Sequence, residues 1–458
     1  MIRFVALAFG LATVLIGALQ GFPAHAQSTA LSLYYQEVER GESVFVFNTP
    51  ERYKAFLVGG DPGQCITLAK NGAGGKRLVA ENETAIDLYL FKHGLPGYDR
   101  PAPKPTPTPT PAPAPFEVSW KDGRTNFKTK SAELKLSNRF QPRFTAEDLD
   151  TKTTTGQPDR ESFRIRRAKT KLEGWVYSRN LEVELQLNWA DTVNLLDDAN
   201  VNYDVTGGHR ALMVKAGQFK VPFGRQQLTS AMSQQFVDRS AVSDIFARGR
   251  DIGLQLWGTP FKGLLDWRVG VFNGNGRTVA RNDNDELQFD ARLTLQPFGD
   301  VKYSEGDFES AGRFLFAVAG QIETNTREVA AAGGNPAGKV EQTIWGGDVV
   351  VKIAGVSLSA EYFERQNEPT AAADFKDRGF DGQVGIFVVP KRLELAARYS
   401  EYDPSLSRDG DVRTERGVAL GYFWNQHNHK IQADYRWLED ETRGTEDREL
   451  RVQYVLFF

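Results

Sequence analysis

The 458-residue chain has little of several residue types that carry chemistry, with one Cys, three Met and five His. The single Cys65 excludes an intrachain disulfide and a cysteine-rich zinc site. No Ser-x-x-Lys or Gly-x-Ser-x-Gly arrangement stands out, so nucleophilic catalysis has no candidate residue. We therefore expect no enzyme, no cofactor and no metal site.

Long apolar runs are also missing, except for residues 4–19 near the amino terminus. The preceding Arg3 and the following Ala24-His25-Ala26 predict a secretory signal peptide over residues 1–26, cleaved before Gln27. The alternative is an anchor helix, but the run is short for a span of ~20 residues. The sequence thus predicts bacterial export and excludes a helical membrane protein.

Excess charge of either sign is absent, since 56 Lys and Arg stand against 59 Asp and Glu. A net charge of −3 gives no global basic field for nucleic acid, so no nucleic-acid partner is expected. The mean hydropathy of −0.43 looks soluble. It also suits a transmembrane β-barrel, whose strands alternate apolar and polar residues.

A proline-rich tract, residues 101–115, divides the chain. With proline at every second position it predicts a semi-rigid linker that reaches roughly 45 Å. Residues 27–100 predict a small α+β periplasmic domain, and residues 116–458 an outer-membrane β-barrel domain. In the small domain we expect strands at 43–47, 65–69 and 77–80 and helices at 50–58 and 84–93.

The part after the linker repeats segments of about ten residues with apolar side chains at every second position. Leu181 to Trp189 is one example, and Ile431 to Trp437 is another. Period 2 predicts strands with two chemically opposite faces. We expect sixteen, at residues 130–144, 161–177, 180–191, 199–205, 210–219, 251–259, 263–272, 286–297, 312–323, 342–353, 356–365, 377–388, 391–402, 412–424, 428–438 and 446–458.

Alternation alone fits a soluble, secreted carbohydrate-binding β-sandwich as well as a membrane barrel. Charges in mid-strand favour a wet lumen, and the final alternating strand ends on Phe458, which is typical of bacterial outer-membrane barrels. Aromatic residues at the ends of the apolar faces also suggest the girdles that barrels place at the two membrane interfaces. These are Trp175, Trp189, Trp267, Tyr422, Trp424 and Trp437. Sixteen strands leave an aqueous channel.

Residues 222–250 lack alternation and are too long for an ordinary turn. Such a segment is either an extracellular cap or a constriction loop folded into the lumen. We favour the constriction loop.

Several segments resemble the phosphate-selective porin O and P family. They are Phe163–Lys169, Gly174–Tyr177, Gly217–Gly224, Asp238–Gly253 and Trp267–Gly274, and the likeness spans roughly residues 130–458. The resemblance implies a sixteen-stranded outer-membrane channel of a Gram-negative bacterium, a homotrimer, and lumen arginines and lysines that bind phosphate-type anions. Residues 28–100 and the linker match nothing in that family.

The strand at 161–177 carries the candidate pore residues. Its charged face is even-numbered up to Arg166 and odd-numbered from Arg167, and a β-bulge at this point would direct both arginines into the lumen. The alternative is that Arg164 and Arg166 lie beyond the membrane rim. We predict that the pore is lined, and anions bound, by Arg166, Arg167, Lys169, Lys171 and Lys215.

The predicted function is a water-filled porin for passive diffusion of small anionic or neutral solutes, surrounded by outer-membrane lipid. Anion or phosphate preference comes from the resemblance. Of the chain's 56 basic and 59 acidic residues, 10 and 9 lie in the first 115, which leaves the barrel 46 against 50. The alternative is a barrel whose main role is docking a periplasmic or cell-wall partner through residues 28–100.

Overall fold

The computed structural model describes residues 34–100, 116–149, 159–279, 281–329 and 338–458, which form two compact units. The predicted signal peptide (1–26) and proline-rich linker (101–115) lie outside these residues. Among the helices of the described residues, none is long and apolar enough to span a membrane.

The first unit is the expected small α+β fold, a four-stranded sheet in the order β1-β2-β4-β3 with two helices. Its elements are β1 (Gln36–Arg40), β2 (Ser43–Phe47), α1 (Pro50–Gly59), β3 (Ile66–Leu68), a 3₁₀ turn (Ala73–Gly75), β4 (Arg77–Ala80) and α2 (Glu83–Lys92). Strand β1 was not predicted, because its sequence QEVER carries a single apolar residue.

The two helices of this unit are held by different contacts. Asn82 caps α2 by accepting a hydrogen bond from the Ala85 backbone N–H (3.0 Å). Apolar α2 side chains such as Ile86 and Tyr89 pack with the buried β2 and β4 residues. Phe56 of α1 packs against Phe45 instead, with ring centroids 4.7 Å apart.

The second unit is a closed antiparallel barrel, and each of its sixteen strands corresponds to one of the sixteen predicted. They are β7 (Ala132–Asp148), β8 (Arg160–Val176), β9 (Leu181–Asn188), β10 (Leu196–Asp204), β11 (Met213–Lys220), β12 (Arg250–Gly258), β13 (Leu265–Phe272), β14 (Gln288–Leu295), β15 (Leu315–Val329), β16 (Gly338–Ile353), β17 (Val356–Pro369), β18 (Phe375–Val389), β19 (Leu393–Asp403), β20 (Arg413–Asn425), β21 (His429–Asp440) and β22 (Thr445–Phe457).

A short hairpin that was not predicted precedes the barrel strands, β5 (Glu117–Lys121) and β6 (Arg124–Lys128). Strand β22 closes the barrel on β7 from Arg139 onwards, and β6 takes over the pairing of β7 before that point. The Phe458 backbone N–H donates to the Asn138 carbonyl (3.0 Å). The terminal end of the barrel is the end at which β7 begins and β22 finishes. We call the opposite end the loop end.

The two faces of the strands differ as the alternation predicted. On β18 the inward Asp381 and Gln383 are buried, whereas the outward Phe380, Val384 and Ile386 are 41–48% exposed. This closed cylinder with an apolar outer surface rules out the β-sandwich alternative.

Candidate functional site: a cationic lumen

Two connections between strands fold into the lumen. The long loop (residues 221–249) joins β11 to β12 at the loop end and contains the short helices α3 (Arg225–Leu228) and α4 (Ala241–Phe246). The short loop (residues 296–314) joins β14 to β15 at the terminal end. They meet inside the barrel, where the Glu305 N–H donates to the Ser233 carbonyl (2.8 Å). The predicted inward constriction loop is therefore confirmed.

The long loop is seated on the β17–β22 side of the barrel by backbone N–H groups that donate to inward carboxylates. These bonds run from Gln226 to Glu361 (2.6 Å), from Val237 to Asp434 (2.8 Å) and from Ala241 to Glu415 (2.9 Å). Charge-assisted hydrogen bonds of this kind are stronger than neutral ones. The acidic side chains of this wall are thus engaged in holding the loop.

Aromatic side chains of the loop fit against glycines on the same wall. A Cβ placed on Gly379 would lie 2.6 Å from both Phe246 and Val242, and one on Gly417 would lie 2.9 Å from Phe236. Phe246 also stacks on Phe363 of β17, with ring centroids 5.3 Å apart. The loop therefore packs as a folded part of the wall.

The opposite wall, built by β7 to β13, faces an open cavity of about 390 Å³. Its charged lining comprises eleven basic residues and four acidic ones, an excess of seven positive charges. The basic residues are Arg139, Arg166, Arg167, Lys169, Lys171, Lys215, Lys220, Arg239, Arg250, Arg268 and Arg277, and the acidic ones are Glu184, Asp191, Asp197 and Asp198. A barrel with slightly more acidic than basic residues thus presents a cationic cavity, because many of its carboxylates lie behind the long loop.

All five predicted site residues line this cavity. Lys169 pairs with the buried Asp197, and Lys171 bridges Glu173 (2.6 Å) and Glu184 (2.9 Å). Lys215 lies over the ring of Phe219, 4.7 Å from its centroid.

The two arginines among them flank the predicted bulge. The β7–β8 register places Arg167 opposite Gln141 and Ile165 opposite Pro142, so Arg166 is left without a partner in the ladder. The bulge is confirmed, and with it the inward direction of both arginines. Arg164 lies opposite Arg143, whose side chain bonds the long loop (Nη1 to Asp238, 2.6 Å), so the exposed Arg164 also falls on the inward face of the strand.

Six further basic residues of the cavity lie outside the predicted set. Lys220 and Arg250 face each other across β11 and β12, immediately before and after the long loop, and Arg239 belongs to the loop itself. Arg277 reaches in from the loop-end connection between β13 and β14, where it bonds Asp197 (2.6 Å). Alternation gave a signal for two of the six, because it places Arg268 of β13 on the polar face and Arg139 of β7 on the same face as Gln141 and Arg143. Arg239 and Arg277 depend on how the loops fold.

Towards the terminal end, a second cavity of about 400 Å³ shares Glu184 and Lys215 with the first. Trp175 lines this cavity, so its prediction as an outer interfacial residue was wrong. The physical reason is the bulge, which turns the odd-numbered residues of β8 inward as far as Trp175. Trp189, Tyr422 and Trp424 are exposed on the outer surface, as predicted.

A closed sixteen-stranded barrel, apolar outside, with charged side chains and open cavities inside, is the architecture of a diffusion porin. The family described as phosphate-selective porin O and P matches residues 137–456, and the chain belongs to that family. Family and fold indicate an outer-membrane protein that forms a channel for passive diffusion, rather than an enzyme.

The chain is also similar to individual proteins. It is 20% identical over 384 residues to an uncharacterized protein of Aquifex aeolicus (strain VF5). The alignment covers 71% of this chain and 87% of the Aquifex protein. Among solved structures, an anion-selective porin from Comamonas acidovorans has a TM-score of 0.50 at 12% identity, covering 71% of this chain and 100% of that chain. The outer-membrane channel DcaP of Acinetobacter baumannii has a TM-score of 0.51 at 10% identity, with 72% and 99% covered.

Proposed function

We propose that this porin conducts small anions in preference to cations, with oxyanions such as phosphate bound in passing by the cationic cavity. The observation that carries the proposal is the excess of seven positive charges in the cavity lining. A low-dielectric wall with charges of one sign concentrates counter-ions and excludes co-ions. The family's description as phosphate-selective and the anion selectivity of the Comamonas porin agree with this preference.

Free donors support binding as well as attraction. Arg139 Nε, Arg166 Nε and Arg167 Nη1 are buried and have no hydrogen-bond partner among the described residues. Guanidinium N–H groups fit the oxygens of phosphate and stay charged at any working pH. An anion passing the bulge would replace part of its hydration shell with these donors. Conduction requires this binding to be weak enough for release.

The test is the zero-current potential of the purified protein in a planar lipid bilayer with a KCl gradient. We expect the zero-current potential to have the sign of a channel that prefers chloride to potassium. We also expect the chloride current to fall when phosphate is added to both sides. A potential of the cation-selective sign would overturn the proposal. A chloride current that phosphate leaves unchanged would exclude phosphate-type anions from the proposal.

We propose further that residues 1–26 are a cleaved signal peptide and that residues 27–100 lie in the periplasm, joined to the barrel by the linker at 101–115. The even number of strands supports this, because it returns the chain to the side on which β7 begins. Amino-terminal sequencing of the mature protein should give Gln27 first. Protease added to intact cells should leave residues 27–100 uncut.

The small domain, in this proposal, docks a periplasmic or cell-wall partner. The predicted reach of the linker, roughly 45 Å, supports it. Deletion of residues 28–100 should leave the conductance unchanged and abolish co-purification of that partner. Co-purification that survives the deletion would contradict the docking role.

We propose a homotrimer, as the family resemblance implies. A chain of hydrogen bonds on the outer face of β7 to β9 supports a protein-covered surface there. Trp189 Nε1 donates to Thr170 Oγ1 (2.9 Å), which donates to Asn138 Oδ1 (3.0 Å). Polar side chains, even when hydrogen-bonded to one another, are less costly against protein than against lipid hydrocarbon. Chemical cross-linking in membranes should give a trimer band. Asn138→Leu with Thr170→Val should weaken this band, and an unchanged band would show that another face of the barrel forms the contact.

A further inference from the structure

Four guanidinium groups from three strands converge on one carboxylate, that of Asp238 in the long loop. Its oxygens lie 2.6 Å from Arg143 Nη1, 3.4 Å from Arg167 Nη2, 3.5 Å from Arg451 Nη1 and 4.0 Å from Arg166 Nε. Arg143 is on β7, Arg166 and Arg167 are on β8, and Arg451 is on β22.

The position of this carboxylate is fixed by contacts other than the arginines. The backbone N–H of Val237 donates to Asp434 (2.8 Å), and the carbonyl of Asp238 itself accepts from Arg398 Nη1 (3.1 Å). Asp238 is therefore held in place through the backbone on both sides of its side chain. Its carboxylate is therefore an anion with a fixed position in the lumen.

The four arginines differ in their other hydrogen-bond and ion-pair partners. Arg451 forms two bonds with Asp434 (2.7 and 2.6 Å), and Arg143 bonds Gln453 Oε1 (3.1 and 2.9 Å) as well as Asp238. Among the described residues, Arg166 and Arg167 have no carboxylate other than Asp238 within 4.0 Å. These two also line the open cavity, and each keeps a buried N–H donor without a partner.

We propose that Asp238 is a built-in competitor for the permeating anion, and that it sets how tightly the arginine pair of the bulge holds that anion. The proposal rests on the anion preference proposed above. Arg143, Arg166 and Arg167 share this one carboxylate, which leaves an excess of about two positive charges near a solute. The bound anion is then held, but shallowly enough to leave.

The ligand class follows from the donor geometry. A carboxylate and a phosphate accept the same paired N–H bonds from guanidinium, so phosphate-type oxyanions compete most directly with Asp238. The coulombic energy scales with the solute charge, so removing Asp238 should strengthen binding of hydrogen phosphate more than binding of chloride.

The experiment measures single-channel conductance against salt concentration, in potassium phosphate and in KCl, for Asp238→Asn. We expect the half-saturating phosphate concentration to fall by about fivefold, the upper end of the change for one screened charge contact. The half-saturating chloride concentration should fall less, and the maximal phosphate conductance should drop because exit is slower. Asp409→Asn is the control, because Asp409 is exposed in the connection between β19 and β20, also at the loop end, and forms no ion pair among the described residues. It should behave as wild type.

A second variant, in which the buried charges stay balanced, tests the proposal if Asp238→Asn forms no channels. Arg143→Gln with Asp238→Asn removes one buried charge of each sign and still leaves Arg166 and Arg167 without a carboxylate. The half-saturating phosphate concentration should still fall, but by less than in Asp238→Asn, because the net charge of the cluster is that of wild type. Half-saturation equal to that of Asp409→Asn, in whichever of the two variants conducts, overturns the inference. If wild type shows anion preference in that case, the proposed function stands and only the role of Asp238 fails.

Discussion

Arg167 on β8 and Asp238 in the long loop lie 3.4 Å apart, from Nη2 to Oδ1, although 71 residues separate them in the chain. The contact joins the two features that shape the lumen, the bulge in β8 and the loop that crosses the barrel. It places the arginine pair at the boundary between the open cavity and the packed loop. The loop carboxylate can therefore offset part of the charge of the arginine pair.

Replacing both bulge arginines should weaken anion preference. For Arg166→Ala with Arg167→Ala, we expect the anion-to-cation permeability ratio to fall by about fivefold, which corresponds to ~1 kcal/mol, the order of a screened charge interaction. The control removes two exposed arginines from the outward faces of the strands, Arg416 and Arg448. Zero-current potentials in a KCl gradient measure both. An unchanged ratio in the bulge variant would show that the filter lies elsewhere.

Reversing one charge where the two cavities join should act in the same direction. Lys215 lines both cavities, so Lys215→Glu should lower the permeability ratio more than Lys215→Gln, because it adds a negative charge as well as removing a positive one. The difference should shrink in 1 M salt, where the Debye length falls to ~3 Å. Equal effects of the two substitutions would mean that size, and not charge, is what Lys215 contributes.

Seating of the long loop should depend on Gly379. A valine there would meet Phe246 and Val242, and overpacking of this kind costs about 1–3 kcal/mol. We expect Gly379→Val to form barrels whose conductance is noisy and differs from wild type, because the loop no longer fits its wall. Gly320→Ala is the control, since a Cβ at that position meets nothing within 4 Å. A quiet, wild-type current from Gly379→Val would contradict this account.

The small domain should lose stability in acid through Glu37. Burial acts to raise the pKa of Glu37, but hydrogen bonds from Tyr35, His93 and Lys92 outweigh it and lower this pKa from its ordinary 4.5 to about 2. A carboxyl whose pKa is lower in the folded state stabilises the fold above its ordinary pKa. That contribution shrinks as the pH falls from 4.5 towards about 2.

Calorimetry of the full chain in detergent checks this at pH 6 and pH 3. The transition of the small domain should move to lower temperature at pH 3, and the shift should be smaller in Glu37→Gln. Glu51→Gln, on α1, is the control. An identical acid shift with and without Glu37 would exclude this carboxyl as the cause.

Much of the fold could be predicted because its signal is local. Each barrel strand carries its own period-2 pattern, so segments such as 181–188 and 429–440 are recognisable without knowledge of their neighbours. Even the bulge left a local trace, the change of phase between Arg166 and Arg167. Strand β1 and the hairpin β5–β6 have no comparable pattern and were not predicted.

The candidate site could be predicted only in part. Residues on strands, such as Lys169 and Lys215, have their direction fixed by alternation, whereas Arg239 and Arg277 enter the lumen on loops. Nothing in their immediate sequence indicates the direction in which a loop folds.

The sequence by itself determined the closed barrel, its strand count and, except at Trp175 on β8, the inward face of the strands, because backbone pleating makes side-chain direction a local property. The tertiary structure alone decided the sign of the cavity. Acidic residues are as numerous in the barrel as basic ones. Three of them, Glu361, Asp434 and Glu415, accept hydrogen bonds from backbone N–H groups of the long loop. Which charges remain for a solute depends on contacts between residues far apart in the chain, and those exist only after the loop has packed.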